Sequence, residues 1–263
     1  MDLKKTGLAV LLFVLVTTAA VLGQLSVCVE FITTDNIGQM AASNYIPQSD
    51  YTYRFVNGAS DVSDGSDYAA VRNAFSTWID LPSSDLSVTE TSKSVSFTPG
   101  TRNGYNDISW IGSGYGYNDP WSDLLSFSNS ALAVVVTWYS SYSGIVRERD
   151  LYFNDVDYSW RTDSDGVQVG GFYVEDIALH EIGHIYGLKD VYNPGQPGWQ
   201  AWMGSNNNYL TMYGYSSWTN EDVMLSDIDI LAMADLHPSA VPEPNAAIMF
   251  AMAGGILIFV RKP

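Results

Sequence analysis

The chain has 263 residues, of which 29 are acidic and 12 are basic, so its formal net charge is −17. This length allows one domain of about 200 residues with an appendage at each end. The acidic balance argues against nucleic-acid binding, because affinity for phosphate needs clustered Lys and Arg, and it suits a soluble extracellular surface. The single cysteine, Cys28, cannot form an internal disulfide, so packing or metal must hold the fold.

The first 23 residues have the pattern of a secretory signal peptide. Lys4 and Lys5 precede an apolar run from Leu8 to Leu22, and small residues lie near Gly23. Cleavage after Gly23, or a few residues later, leaves a domain that we delimit as residues 24–240. We therefore expect the protein to be exported.

Between the termini, the hydrophobic pattern predicts an α+β fold. The first helix is predicted to begin at Asp64 or Ser66, either of which can act as its N-cap. Its apolar face recurs at helical spacing and comprises Tyr68, Val71, Phe75, Trp78 and Ile79. The predicted strands are Leu86–Thr91, Asp107–Ile111 and Ala131–Tyr139. Residues 112–130, rich in Gly, Tyr, Asn and Ser, are predicted to form a loop.

The next predicted helix carries the motif His180-Glu181-Ile182-Gly183-His184. Residues four apart share one face of a helix, so His180 and His184 can reach one ion. Catalytic zinc sites use three protein ligands and leave the fourth position to water. Glu181 lies beside the first ligand, where it can take a proton from that water and pass it to a leaving amine. The motif therefore predicts a catalytic zinc site.

Residues downstream of the motif strengthen this prediction. Gly187 suits the left-handed position that commonly ends a helix, after which the chain can reverse and bring Asp190 to the ion as third ligand. The bare motif also occurs by chance in helices without metal, but Gly187, Asp190 and Met212 in register favour zinc. Met212 is interpreted as a hydrophobic base beneath the metal, although methionine is more often core filler. His237 is expected at the surface or at a helix end.

Two acidic segments have the spacing of carboxylate-lined turns, Asp61–Asp67 and Asp163–Gly166. Calcium prefers such hard oxygen ligands. Neither segment completes a recognised calcium loop, so solvated turns are the favoured interpretation and calcium is the alternative.

The C-terminal segment, residues 241–263, begins with Val241-Pro242-Glu243-Pro244-Asn245. An apolar run from Ala246 to Val260 follows, and Arg261 and Lys262 come after it. A helix over this run, at about 1.5 Å per residue, is shorter than a bilayer core of about 30 Å. The run is therefore short for a permanent membrane helix, and a weak tail anchor is the alternative.

The zinc motif and its surroundings resemble the metzincin zinc peptidases, in particular bacterial matrixin-like proteins. Seven further segments resemble the strands, helices and Met-turn of that family: Tyr51–Phe55, Val71–Trp78, Asp150–Asn154, Trp160, Val174–Leu179, Leu210–Tyr215 and Ser226–Asp229. The resemblance covers roughly residues 51–237.

This resemblance implies a catalytic domain with a mixed twisted sheet, an active-site helix and a C-terminal helix. It implies that Ala131–Tyr139 is the antiparallel edge strand above the cleft, where an extended polypeptide substrate can pair; a buried central strand is the alternative. It also makes Asp155 and Asp157 the better candidates for calcium. Tyr213 and Tyr215 are candidates to stabilise the tetrahedral intermediate or to line the side-chain pocket.

The chain departs from the family pattern at three positions. Asp190 replaces the usual third histidine, as in the snapalysin-like branch, so the attacking water should be less acidic and the pH profile shifted. Tyr152 stands where matrixins often carry a histidine for a structural zinc, so a second zinc is not expected, with calcium an open replacement. Gly214 stands where astacin-like relatives carry a tyrosine ligand, so that role does not carry over.

The C-terminal segment closely resembles the PEP-CTERM sorting signal of diderm bacteria, which a membrane-embedded exosortase cleaves near the Pro-Glu-Pro. This resemblance implies that residues 241–263 anchor the exported protein in the membrane transiently. The protein would then be released or fixed to the cell surface.

These features together predict a secreted zinc endopeptidase, in which zinc polarises the scissile carbonyl and Glu181 activates the zinc-bound water. The alternative is a catalytically silent surface protein that uses the same fold for adhesion or matrix assembly. A zinc hydrolase that acts on a non-peptide substrate is a third interpretation. The intact Glu181 favours an enzyme.

Overall fold

The structure is a computed structural model and describes residues 25–28, 45–93, 97–113, 115–162, 170–190, 211–212 and 224–239. Its strands are β1 (Leu25–Cys28), β2 (Asp50–Phe55), β3 (Ser87–Glu90), β4 (Asn106–Ile111), β5 (Ala133–Ser140), β6 (Val146–Asn154), β7 (Trp160–Arg161) and β8 (Phe172–Tyr173). Its α-helices are α1 (Ser66–Ile79), α2 (Val174–Ile185) and α3 (Asp227–Leu236).

A mixed sheet forms the centre of the fold, with strand order β1-β5-β6-β4-β2-β3. Strands β2, β3, β4 and β6 pair in parallel, whereas β5 pairs antiparallel with both β6 and β1. The short strands β7 and β8 form a separate parallel pair just before α2. The predicted α+β class and all three predicted strands are confirmed.

The main core lies where α1 and α2 pack against the sheet. Alternate residues of β2, β4 and β6 join the buried faces of both helices, as expected for strands whose side chains alternate between the two sides of a sheet. Trp78 of α1 is fully buried, and its indole nitrogen donates a hydrogen bond to the carbonyl oxygen of Leu179 in α2 at 2.8 Å. The two helices are therefore joined by a polar contact as well as by packing.

Helix α1 begins as predicted to within one residue, but neither predicted side chain is its N-cap. Gly65 occupies that position in the left-handed conformation, with φ of 79°. The carboxylate of Asp64 accepts a hydrogen bond from the backbone nitrogen of Ser66, the first residue of the helix. Gly65 is the N-cap instead of Asp64 or Ser66 because glycine tolerates this backbone geometry without a steric penalty.

The opposite face of the sheet carries a second, smaller core. Residues Ile111, Trp121, Val136, Trp138 and Tyr152 are buried there. Trp121 belongs to a π-helical turn, Pro120–Leu124, inside the segment predicted as a loop. That segment therefore covers the sheet with a buried aromatic side chain.

Tyr152 lies in this second core, where its hydroxyl donates to Asp150 Oδ2 at 2.6 Å and accepts from the backbone nitrogen of Gly100 at 3.2 Å. Burial raises the pKa of Asp150 to about 8, even though it also accepts from the backbone nitrogen of Asp107. The hydroxyl of Tyr152 is therefore paired with a carboxylate and a backbone amide inside the second core.

Strand β5 is antiparallel as expected, but it is not a fully open edge. Strand β1 pairs with its second half, from Leu25 opposite Ser140 to Cys28 opposite Thr137. Within the described residues, the first half of β5, residues 133–136, has a paired strand on the β6 side alone. The expected open edge is thus limited to that half.

In the part of the chain that the structure describes, no helix is long and apolar enough to cross a membrane. The predicted signal and sorting segments, residues 1–23 and 241–263, lie outside the described residues.

The substitution Tyr152→Phe should lower the free energy of unfolding by about 1–3 kcal/mol, because it removes a buried donor to Asp150 and a buried acceptor for Gly100. Urea denaturation measures this change. Tyr142→Phe is the control, since Tyr142 is fully exposed. Equal stabilities of the two variants would show that the Tyr152 hydroxyl contributes nothing.

Candidate metal centre

Helix α2 ends in a turn that its sequence specifies. Gly187 has φ of 103°, in the left-handed region predicted for it. Its backbone nitrogen donates to the carbonyl oxygen of His184, and that of Leu188 donates to the carbonyl oxygen of Gly183. These two bonds form a Schellman motif, which closes the helix and turns the chain toward Asp190.

The three predicted ligands converge. His180 Nε2 and His184 Nε2 are 3.2 Å apart, and they lie 2.9 and 3.2 Å from Asp190 Oδ1. Ligand atoms around a tetrahedral zinc at about 2.1 Å are separated by roughly 3.4 Å. The described side chains that could hold a metal ion include the group His180, Glu181 and His184, whose ligand atoms lie within 4.8 Å of one another. The donor set fits a divalent ion.

The imidazole rings are held in the tautomer that a metal requires. His180 Nδ1 lies 2.6 Å from the carbonyl oxygen of Thr211, and His184 Nδ1 lies 2.9 Å from that of Leu188. A carbonyl can only accept, so each Nδ1 must carry a hydrogen, and in the neutral ring each Nε2 then keeps a lone pair for a metal. Metal-binding histidines are oriented in this way by the bond that their other nitrogen makes.

The charges of the site favour a cation. Burial alone would raise the pKa of Asp190, but the two imidazoles outweigh it and hold the pKa of that carboxyl well below its usual range. Burial alone would lower the pKa of His180 and His184, but the hydrogen bonds and charge of Asp190 raise both. An incoming metal must displace protons from the imidazoles, so its affinity decreases at low pH.

Glu181 is buried beside the ligands, and its Oε2 has no hydrogen-bond partner among the described residues. Burial raises the pKa of its carboxyl, an effect that the imidazoles of His184 and His180 oppose. A buried carboxylate with a free oxygen is a stronger base than a solvated one and has room for a proton.

Met212 lies beneath the helix that carries the ligands. It is fully buried, and a Cβ added to Gly183 would come within 2.2 Å of its sulfur. Gly183 lies between the two histidines in the sequence, so the missing side chain makes room for the methionine. Met212 thus packs against the helix that carries the ligands, and its role as a hydrophobic base stays a prediction.

Asp229 has a structural role that the sequence reasoning missed. Its carboxylate accepts from the backbone nitrogens of Thr211 at 2.9 Å and Met212 at 3.3 Å, and it completes a capping box with Ser226 at the start of α3. Asp229 therefore holds both the methionine and the carbonyl that orients His180. The capping-box pattern was visible in the sequence, but the partner segment was not.

The candidate calcium residues take separate partners. Asp155 accepts from the backbone nitrogen of Ser60 and borders a cavity of about 400 Å³, whereas Asp157 pairs with Asn154. In the segment Asp61–Asp67, the carboxylates of Asp61, Asp64 and Asp67 accept backbone hydrogen bonds. Asp64 caps a local turn, whereas Asp61 and Asp67 bond to the backbone of more distant residues, Trp160 and Ala59. Asp67 is also buried, so the expected solvated turn does not describe it.

Two further expectations concern residues near the site. Tyr213 and Tyr215, like Asp163–Gly166, lie outside the described residues. His237 is the C-cap residue of α3, but it is buried and not at the surface, with its Nε2 2.7 Å from the carbonyl oxygen of Tyr186. The helix-end alternative was correct.

Comparison with known proteins adds no family assignment: no protein-family model matches the chain, and a search of curated proteins found no match. The interpretation of the site therefore depends on its residues and geometry.

The substitution Asp190→Ala should abolish stoichiometric zinc binding, because it removes the carboxylate that completes the ligand set. Metal analysis after dialysis should give about one zinc per wild-type chain and a small fraction of that for the variant. Asp235→Ala is the matched control, since Asp235 is exposed on α3. Unchanged zinc in Asp190→Ala would exclude Asp190 as a ligand.

The substitution Asp155→Asn should stabilise the fold at neutral pH. Burial, with the charges of Asp61 and Asp67, raises the pKa of Asp155 to about 6. The folded state holds the proton of Asp155 more tightly than the unfolded state does. Protonated Asp155 therefore stabilises the fold fully below about pH 4, and this stabilisation is lost as the pH rises through about 6. At pH 7 the free energy of unfolding of Asp155→Asn should therefore exceed that of wild type by about 1–2 kcal/mol, after allowance for solvent screening.

The same pair of proteins tests the calcium expectation. Denaturant unfolding at about pH 4 and pH 7 measures the pH effect, and a constant difference would contradict it. Millimolar Ca²⁺ that raises the melting temperature of wild type, but not of Asp155→Asn, would assign calcium to Asp155.

Proposed function

We propose that this protein is a secreted zinc endopeptidase of the metzincin type. The observation that carries the proposal is the convergence of His180 Nε2, His184 Nε2 and Asp190 Oδ1, with both Nδ1 atoms committed to carbonyl oxygens. Two imidazoles and one carboxylate form a known catalytic zinc ligand set with an open fourth position.

Zinc is the proposed ion because imidazole nitrogen suits it better than it suits calcium or magnesium, which prefer oxygen ligands. When bound, zinc would polarise the scissile carbonyl and lower the pKa of the attacking water. The Oε2 of Glu181, which has no hydrogen-bond partner in the described part of the chain, is the proposed acceptor for the proton of that water. The same carboxyl would then donate the proton to the leaving amine.

The sheet supports a peptide substrate. The backbone nitrogen of Asn154 donates to the carbonyl oxygen of Leu132, so in the antiparallel ladder Ala133 and Val135 direct their backbone groups away from β6. An extended polypeptide that pairs with these groups would gain main-chain affinity without a strict sequence requirement. Ala133 belongs to the same core as α2, which links this edge to the helix of the metal ligands.

The order of elements also supports the metzincin proposal. In chain order, the parallel strands β2 and β4 are followed by antiparallel β5 and parallel β6, and then by the ligand-bearing helix and the final helix, in agreement with the resemblance. We further propose export through residues 1–23 and surface attachment or release through an exosortase-type enzyme that acts on residues 241–263.

Wild-type protein supplied with zinc should cleave unfolded casein, and Glu181→Ala should lose roughly 10²–10⁴-fold in rate, because the base that activates water is removed. Gel electrophoresis of casein against time measures the rate. Glu175→Ala is the matched control, since Glu175 lies in the first turn of the same helix and bonds to Asn73.

Three outcomes separate the alternatives. Cleavage that is lost only in Glu181→Ala supports the peptidase. Bound zinc without cleavage by any of the three proteins points to the surface protein with a silent site. Turnover of a non-peptide ester or amide, with casein left intact, points to a different zinc hydrolase.

A further inference from the structure

Two side chains from distant elements hold the C-terminal end of α2. Arg149 of β6 donates from Nη1 to the carbonyl oxygen of Ile185, the last residue of the helix. His237, which follows α3, places Nε2 at 2.7 Å from the carbonyl oxygen of Tyr186, the C-cap residue. The last carbonyls of a helix have no partner within it, so these two donors satisfy groups that would otherwise be buried and unpaired.

The burial of Arg149 is unusual for a charged side chain. It is 1% exposed, and among the described residues its Nε and Nη2 have no hydrogen-bond partner. A buried cation without a carboxylate destabilises a fold unless other negative charge faces it. Here that charge is the negative end of the α2 dipole, helped by the ring of Tyr45, whose centroid is 4.8 Å from the guanidinium carbon.

His237 complements Arg149 on the next carbonyl. A carbonyl oxygen only accepts, so Nε2 must carry the hydrogen in this bond. The backbone of His237 is fixed as well, because its nitrogen donates to the carbonyl oxygen of Met233 and its own carbonyl accepts from Asp85. The residue that donates to Tyr186 is therefore held by backbone bonds between the end of α3 and the segment just before β3.

The two fixed carbonyls lie at the start of the turn that completes the metal centre. Within the next four residues, Gly187 adopts its left-handed conformation, Leu188 supplies the carbonyl that orients His184, and Asp190 supplies the third ligand. The direction in which the chain leaves α2 decides where these groups lie. We call residues 186–190 the metal turn.

We propose that Arg149 and His237 are positioning residues that set the metal turn and so tune metal affinity, without touching the metal or the substrate. The inference rests on the metal centre proposed above. Loss of either donor leaves a buried carbonyl unpaired at the end of α2, and the turn can then relax so that Asp190 and Leu188 move relative to the imidazoles. Contacts made directly to metal ligands typically change metal affinity by tenfold to a hundredfold, so these more remote contacts should change it by about tenfold.

The test uses Arg149→Met, which keeps the length of the side chain but removes its donors, and His237→Leu, which removes the imidazole donor. Chelator competition measures zinc affinity, and the visible spectrum of the Co²⁺-loaded chain reports the ligand geometry. Both variants should bind zinc about tenfold more weakly and show an altered cobalt spectrum. Arg149→Lys, which keeps a charged donor, should recover part of the affinity.

Arg54→Met is the matched control. Arg54 is also a largely buried arginine of the sheet, and it pairs with Asp107 at 2.5 Å instead of with the end of α2. The Arg54→Met variant should have a lower melting temperature, with zinc affinity and the cobalt spectrum unchanged. This result would separate an effect on the position of the metal turn from an effect on overall stability.

The inference is overturned if Arg149→Met and His237→Leu match wild type in zinc affinity and cobalt spectrum, or if Arg54→Met weakens zinc as much as they do. Should Arg149→Met fail to fold, His237→Leu decides by the same two measurements. A wild-type chain that binds neither ion overturns the zinc proposal, and this inference with it. Zinc binding without peptidase activity overturns only the proposed reaction.

Discussion

Two histidines on one helix face hold a metal ion in a fixed geometry when hydrogen bonds to their other ring nitrogens orient both imidazoles. Here His180 uses the carbonyl of Thr211 and His184 uses that of Leu188. One carbonyl precedes Met212 and the other lies in the metal turn, so the imidazoles depend on two segments outside α2. Much of the surrounding structure can be understood as support for these two carbonyls.

The two supports are built differently. Thr211 is held by the carboxylate of Asp229, which also caps α3, so one side chain joins the methionine segment to the last helix. The metal turn is held by its Schellman bonds and by donors at the end of α2. Since α3 contributes Asp229 at its start and His237 at its end, this one helix braces both sides of the metal centre.

The sequence was sufficient for features that depend on neighbours along the chain. Helical spacing of His180 and His184, the left-handed Gly187 and the approach of Asp190 all follow from local geometry. Arg149 and β1 gave no usable signal, because their partners lie 36 and more than 100 residues away. The capping box of Asp229 was visible, but its bonds to Thr211 and Met212, 18 and 17 residues away, were not. The loop prediction for residues 112–130 failed to anticipate buried Trp121 for the same reason: its burial depends on the far face of the sheet.

The small number of histidines in the chain bears on both faces of the sheet. The sequence has three histidines, and the structure uses two at the metal centre and one at the end of α2. All three histidines are therefore placed, and Tyr152 packs with aromatic neighbours in the second core. A carboxylate as third ligand would make the attacking water less acidic, but burial makes Glu181 a stronger base. In the proposed enzyme the effect of Asp190 on the water and the effect of burial on Glu181 oppose each other. Proton transfer depends on the difference between the pKa of the water and that of the Glu181 carboxyl.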